Sequence, residues 1–240
     1  MRTTTTEQGE VEASERKHPT GQMPSLAQQY PGIASEVYAP RKVDVALRGL
    51  DLLIAGTALV VLSPLLGLLA LATLLTSGRP VLYRGERVGR SGRVFTMYKL
   101  RTLAPGAESR LGNTYGEELS RRTEQEVTAV GKAARLTHLD EVPQLFNVIR
   151  GDMSMVGPRP VRPAFFNRLC EEIPQYWQRL VVRPGVTGFA QTRITREDSW
   201  EDKLIHDLEY IADRSVRLYL RVLGATVVRI VTLAVRGRAR

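Results

Sequence analysis

The chain contains one cysteine, Cys170, which excludes an internal disulfide and any cysteine-based zinc site. Histidine is nearly as scarce: His18, His138 and His206 are scattered, so a histidine-built metal centre is not expected. No apolar run follows the start, so nothing there reads as a secretory signal. Neither a Walker A sequence nor a dinucleotide glycine fingerprint occurs, because the glycines from Gly85 to Gly92 follow a strand-like run but open no helix. Helix-turn-helix, zinc-finger and RNA-binding aromatic patterns are missing, and there is no internal repeat. What remains is basic: 34 lysines and arginines stand against 25 acidic residues, a net charge of +9. Such an excess asks for an anionic partner, whether nucleic acid, anionic lipid or a phosphorylated substrate. At 240 residues the chain suits one domain with appendages or two small ones.

Residues 1–40 have little apolar periodicity and read as a disordered tail. The character then changes. From Leu52 to Leu75 no charge appears, which is long enough for a bilayer that needs about 20 apolar residues. Ser63-Pro64 lies at the midpoint of this run, where proline removes a backbone hydrogen bond and bends a helix. Basic residues flank both ends: Arg41, Lys42 and Arg48 before, and Arg79, Arg84, Arg87, Arg90 and Arg93 after. The positive-inside rule expects an excess on one side only. A bent segment over 43–78 that enters and leaves by one face fits these flanks, and a Pro-kinked spanning helix fits the run as well.

Residues 80–103 switch to strand-like runs separated by glycines, which predicts a β-hairpin or meander ending in the alternating cations Lys99 and Arg101. Residues 104–127 are polar and read as a surface loop or loose helix. The next stretch, Arg135 to Pro160, organises the chain. Arg135 stands five residues before the adjacent carboxylates Asp140-Glu141. Asp140 suits an N-cap, Pro143 a first turn, and Leu145, Val148 and Ile149 the apolar face of a short helix. A helix N-terminus also favours phosphate. Beyond it, Arg162–Val182 reads as helical with an interruption at Pro174, and Arg183–Gln191 as a glycine-punctuated loop in which Arg183 could face an anion. A further helix starts at Trp200. Over residues 215–237, the arginines at 214, 217, 221, 229 and 236 fall within an arc of about 120°, which reads as a basic helix on an anionic membrane surface.

Taken together, these motifs resemble the bacterial sugar transferase family, the small monotopic polyprenyl-phosphate phosphoglycosyl transferases that initiate glycan assembly. The resemblance runs from about Lys42 to about Leu223. It rests on the Ser63-Pro64 helix, the Glu86–Arg90 and Tyr98–Thr102 runs, Leu139–Val148, Gly151–Pro160 and Arg183–Gln191. It implies that Asp140 attacks the sugar-bearing phosphorus of a UDP-sugar, expelling UMP. An aspartyl sugar-phosphate forms, and polyprenyl (undecaprenyl) phosphate then displaces it in ping-pong order. It implies a supporting role for Glu141, a magnesium ion held by Asp140, and phosphate binding by Lys99, Arg101, Arg135, Arg159, Arg183 and Arg196. It also implies a re-entrant helix broken at Ser63-Pro64, a monotopic place on the cytoplasmic face of the bacterial membrane, and the small catalytic-core form over 41–240. Anionic lipids are expected partners and a homodimer is compatible, whereas nucleic acid is not expected. The fold class is α+β and mainly helical, with the re-entrant helix-break-helix, a small β-hairpin and interfacial amphipathic helices.

The chain departs from the family's pattern at four places. His138 stands where Ser is common, Phe189 replaces Trp, Ile194-Thr195-Arg196 replaces Gly-Arg-Asn, and Tyr219 replaces Asp. The 194–196 change motivates an alternative reading, a catalytically impaired relative that acts as a scaffold.

Overall fold

The apolar run lies within helix α1, Lys42–Ser77, in a computed structural model that describes residues 41–111, 116–194 and 198–237. The expected tail at 1–40 and Arg196 fall outside these residues. At 1.5 Å per residue α1 is about 54 Å long. It is the one helix among the described residues that is long and apolar enough to cross a membrane, with a mean hydropathy of 2.5. Only 6% of its most apolar window is buried, so it is not the core helix of a soluble domain. Leu53, Val60, Val61, Leu68 and Leu75 all stand exposed.

The helix runs on through Pro64, so the break into two helices expected at Ser63-Pro64 is not seen. Proline has no N–H to give the carbonyl of Val60, four residues back. Ser63 Oγ donates to that carbonyl at 2.8 Å instead, so the Ser-Pro pair supplies its own replacement bond. The N-terminal half of α1 meets the rest of the protein through Leu47, Asp51 and Ala55.

After α1 come strands β1, Leu82–Val88, and β2, Val94–Leu100, antiparallel and in register from Leu82 opposite Leu100 to Val88 opposite Val94. The expected hairpin is therefore longer than the glycine spacing suggests, with its turn confined to Gly89–Arg93. The polar stretch contains two short helices, α2 (Ala107–Leu111) and α3 (Gly116–Gln125). Next are α4 (Ala129–Leu136), a 3-10 turn at Leu139–Glu141, and α5 (Gln144–Arg150). β3 (Ser154–Val156) pairs in parallel with β4 (Gly185–Thr187). Between them lie α6 (Pro163–Glu172) and a 3-10 segment at Tyr176–Val181, so Pro174 does interrupt the helix expected there. The chain ends with α7 (Phe189–Arg193), α8 (Trp200–Asp213) and α9 (Val216–Gly237).

Three apolar clusters hold these elements together. Phe166, Leu169, Tyr176 and Leu204 join α6 and the second 3-10 segment to α8. Ala55, Phe95, Met97, Leu145 and Val148 join α1, the hairpin and α5. Leu47, Val156, Tyr210, Tyr219 and Val222 join α1, β3, α8 and α9. Val148 is fully buried and Leu145 nearly so, whereas Ile149 is 39% exposed, so the predicted apolar face of α5 is narrower than its sequence suggests.

Two buried polar anchors sit between the clusters. Asp51, only 2% exposed, accepts bonds from Ser154 Oγ at 2.9 Å, Met155 N at 2.8 Å and Tyr219 Oη at 2.8 Å. This accounts for Tyr219: an aspartate at 219 would set a second carboxylate against Asp51, while the phenol donates. Asn147, fully buried, donates to Thr96 O at 2.7 Å and accepts from Tyr98 N at 3.1 Å, locking α5 to β2.

On α9 the buried side carries Tyr219 and Val222, while Leu220, Val227, Val228 and Val231 are exposed beside exposed Arg217, Arg221 and Arg229. Arg214 does not belong to this basic arc. It precedes α9, is 7% exposed, and its Nε lies 2.7 Å from Asp44 Oδ1 on α1.

Candidate active site

The site is built where β2 ends. The carbonyl of Thr102 accepts from Thr128 N at 3.0 Å, and Thr128 Oγ1 caps α4 by accepting from Gly131 N at 3.0 Å. A Cβ on Gly131 would stand 2.2 Å from the Thr102 carbonyl oxygen, so only glycine lets α4 press its backbone against this strand end. Arg135, in the last turn of α4, then reaches back with Nε 2.9 Å from Thr102 Oγ1. Lys99 and Arg135 come to one wall in this way.

Beyond α4 the chain reverses at His138, whose φ of 55° is left-handed and uncommon outside glycine. The 3-10 turn follows, with Glu141 N bonded to His138 O at 3.1 Å. Asp140 is therefore not the N-cap of α5: it lies one turn earlier and Pro143 occupies the cap position. The sequence pattern Asp-x-x-Pro fits both arrangements. The backbone turn at His138 selects the second.

The two carboxylates have different surroundings. Lys99 Nζ lies 2.6 Å from Glu141 Oε1. Burial works against the Glu141 charge, but Lys99 and Arg159 outweigh it and hold this carboxyl below its usual range. Asp140 is 8% exposed, and none of the described residues donates a hydrogen bond to its carboxylate. Burial first, and then the Glu141 charge, push its pKa up, against the opposing pull of Lys99, Arg135 and His138. Adjacent carboxyls driven in opposite directions are an arrangement that assigns them separate tasks. Here Glu141 stays charged and paired, and Asp140 is the more basic, unbonded oxygen donor.

Both open onto one cavity of about 3710 Å³, well beyond the roughly 300–1,000 Å³ that encloses a drug-sized ligand. Lys99, Arg101, Arg135 and Arg159 line it. Arg159 is exposed and sits on the loop after β3, which is fixed from both sides. Gly157 N donates to Thr187 O and Gly185 N to Pro158 O, each at 2.9 Å. A Cβ on Gly185 would lie 2.1 Å from Gly157 N, so the two glycine motifs lock backbone to backbone. Behind the loop, Arg179 donates Nη2 to the Arg159 carbonyl at 2.9 Å and to Asp207 Oδ2 at 2.8 Å. The Arg179 and Asp207 side chains are 4% and 6% exposed. Sequence reading passed over this pair. The one charge in the mainly apolar Tyr176–Val181 segment is its signal in the sequence.

Two expected phosphate ligands are engaged elsewhere. Arg101 Nη2 donates to Ser77 O at 2.6 Å and Gly78 O at 2.8 Å, closing the C-terminus of α1, while its buried Nε and Nη1 have no hydrogen-bond partner. Arg183 Nε donates to Gly151 O at 2.8 Å at the end of α5, and Arg183 does not line the cavity. Arg196 lies outside the described residues. Among those residues no three His, Cys, Asp or Glu side chains gather as a metal cage. A magnesium ion requires less of the protein, because it is commonly held by one or two carboxylates together with substrate phosphates and water. The unbonded Asp140 carboxylate fits that donor set.

A family model described as bacterial sugar transferase matches residues 43–233. An Aeromonas hydrophila protein named UDP-N-acetylgalactosamine-undecaprenyl-phosphate N-acetylgalactosaminephosphotransferase is 37% identical over 188 residues, 77% of this chain and 43% of its own. A Caulobacter vibrioides UDP-glucose:undecaprenyl-phosphate glucose-1-phosphate transferase is 36% identical over 197 residues, 79% of this chain and 71% of its own. A Salmonella typhimurium undecaprenyl-phosphate galactose phosphotransferase is 33% identical over 183 residues, 72% of this chain and 38% of its own. The chain thus spans less than half the length of two of these relatives. Their names carry three different sugars at similar identity.

Proposed function

The chain belongs to the bacterial sugar transferase family, and from that premise we propose that it moves a sugar 1-phosphate from a UDP-sugar to polyprenyl phosphate. The products are a polyprenyl diphosphate-sugar and UMP. The observation that carries this reading is Asp140: a buried carboxylate, accepting no hydrogen bond, on the wall of a cation-lined cavity. One Asp140 oxygen attacks the sugar-bearing phosphorus, and the bond from that phosphorus to the bridging oxygen breaks, its electron pair leaving with UMP. A phosphate oxygen of the lipid acceptor then attacks the same phosphorus and releases the Asp140 carboxylate. Splitting the transfer in two suits a carboxylate nucleophile. Lys99 and Arg135 offset the negative charge of the phosphate entering beside Asp140, and Glu141 holds Lys99 in place. Asp140 would also hold magnesium, which when bound would offset repulsion between the carboxylate and the diphosphate.

The membrane placement follows from α1. Arg41 Nη1 donates to Ala212 O at 2.8 Å near its start, and Arg101 binds its last carbonyls, so both ends are fastened to the same folded body. This supports a re-entrant segment over one that separates its ends across the bilayer, and the cytoplasmic face is the side on which a UDP-sugar would be met. The exposed apolar and basic strips of α9 suit an anionic lipid surface. Cysteines at residues 43 and 78 should both react with a membrane-impermeant thiol reagent from the cytoplasmic side only; labelling from opposite sides would overturn the re-entrant reading.

The test of function is UMP release from a panel of UDP-sugars with undecaprenyl phosphate and magnesium, and no release from any of them would remove the proposal. The active enzyme has a second signature. Asp140 must be ionised to attack, and its pKa is raised, so kcat/KM should fall on the acid side at a pH above the ordinary aspartate value of about 3.9. A flat profile down to pH 4 would contradict the nucleophile's surroundings.

A further inference from the structure

Several exposed arginines of this protein have a carboxylate. Arg110 pairs with Glu126, Arg121 and Arg122 with Glu118, Arg168 with Glu172 and Arg193 with Glu209. The half-buried Arg87 and the exposed Arg159 and Arg162, which come together, do not. Val88 N donates to Val161 O at 3.0 Å, which brings the end of β1 against the segment that leads into α6. Arg87 and Arg162 therefore flank a single backbone bond, and Arg159 lies two residues before Val161 with its carbonyl fixed by Arg179. All three arginines line the cavity that holds Asp140. None of them makes an ion pair with a described residue, and Arg87 spends Nη1 on its neighbour's carbonyl, Glu86 O, at 2.7 Å. Burial, followed by the Arg162 and Arg159 charges, lowers the Arg87 guanidinium against the help of Tyr83, so the three charges press on one another.

We propose that Arg87, Arg159 and Arg162 form a second phosphate cradle in the cavity, distinct in its residues from the Lys99–Arg135 pair. The proposal rests on the transfer reading above. That chemistry brings two phosphates of the donor into one cavity, and the one carrying the nucleoside gains negative charge as it leaves. Guanidinium groups match a phosphate with paired N–H donors, and three held on backbone-locked segments need little reordering to do so. Lys99 and Arg135 serve the phosphate that stays, and the cradle serves the one that departs. Arg162 extends the set beyond Arg159, and Arg87 completes it from the hairpin.

The same phosphate chemistry could come from the nucleotide or from a lipid headgroup, and two measurements on the full chain in nanodiscs and vesicles separate them. Titration calorimetry with UMP and with inorganic phosphate is compared for the wild type, Arg162→Ala and Arg87→Ala/Arg162→Ala, with thermal melting to confirm folding; Arg162→Gln covers the case in which the double variant does not fold. Flotation on phosphatidylglycerol-containing vesicles is measured in parallel. The expected result is at least a tenfold loss of UMP affinity in the double variant, a smaller loss in Arg162→Ala, and unchanged flotation. Loss of flotation with UMP affinity intact would keep the cradle and assign it to lipid phosphate. Unchanged phosphate, UMP and vesicle binding in folded variants would overturn it. A wild type that binds UMP through these arginines but turns over no UDP-sugar would retain the cradle and sink the transfer reading.

Discussion

Asp140→Asn is expected to abolish UMP release, with a loss on the order of 10⁴-fold or more if Asp140 is the proposed nucleophile in a unit that acts together. The structure makes this substitution unusually clean. None of the described residues donates to the Asp140 carboxylate, so the amide breaks no hydrogen bond. Burial and the neighbouring Glu141 both disfavour the charge at 140, so the neutral amide relieves a cost. The variant should therefore melt no lower than the wild type while losing activity. Intact-mass spectrometry supplies an independent reading. Wild-type protein given UDP-sugar without lipid acceptor should gain the mass of one sugar phosphate, and Asp140→Asn should not. Full activity in the variant, or an adduct that persists in it, refutes the proposed nucleophile.

Asp207→Ala carries the largest expected effect on stability. It leaves Arg179 as a buried guanidinium without its carboxylate, a loss of about 3–5 kcal/mol for breaking a buried pair from one side. Arg179 Nε already lacks a hydrogen-bond partner, so the remaining contacts, Tyr176 Oη and the Arg159 carbonyl, have little capacity to compensate. Arg179→Met combined with Asp207→Ala removes the stranded charge and should recover part of the loss, and the double-mutant cycle measures the coupling. Denaturant unfolding in detergent reads both. A loss under about 1 kcal/mol in Asp207→Ala would show that the pair does not hold the Arg159 loop.

Much of this was legible in the chain because it is written locally. The apolar helix, the hairpin, the adjacent carboxylates and the two glycine motifs each occupy a few consecutive residues, and their residue types state their chemistry. Arg135 stands five residues before the carboxylates, whereas Lys99 lies 42 residues from Glu141 and only the alternation of cations at the end of β2 points to it. Asp51 was not legible, since its partner Tyr219 is 168 residues away and it lies just outside the uncharged run. Arg179 and Asp207 were missed for a related reason: each looks like an ordinary charge on a helical segment until the two are packed together. Arg101 and Arg183 were placed on phosphate because alternation and loop composition allow it. Each instead meets the open carbonyls at the end of a helix, which sequence spacing does not reveal. Asp140 looked like an N-cap because the pattern ahead of α5 permits one, and a single left-handed residue, His138, moved it into the preceding turn.

The end of β2 has a consequence for where the chemistry can occur. Lys99 is the penultimate residue of β2, and Arg101 follows the strand directly. One grips Glu141 and the other grips the last carbonyls of α1. The strand end is thus a rigid spacer between the exit of the apolar helix and the acidic pair. In a bilayer, the depth at which α1 settles would fix the height of Asp140 above the hydrocarbon. A thicker or thinner membrane would tilt or lift the catalytic wall as a whole, because this connection leaves little slack to absorb the mismatch.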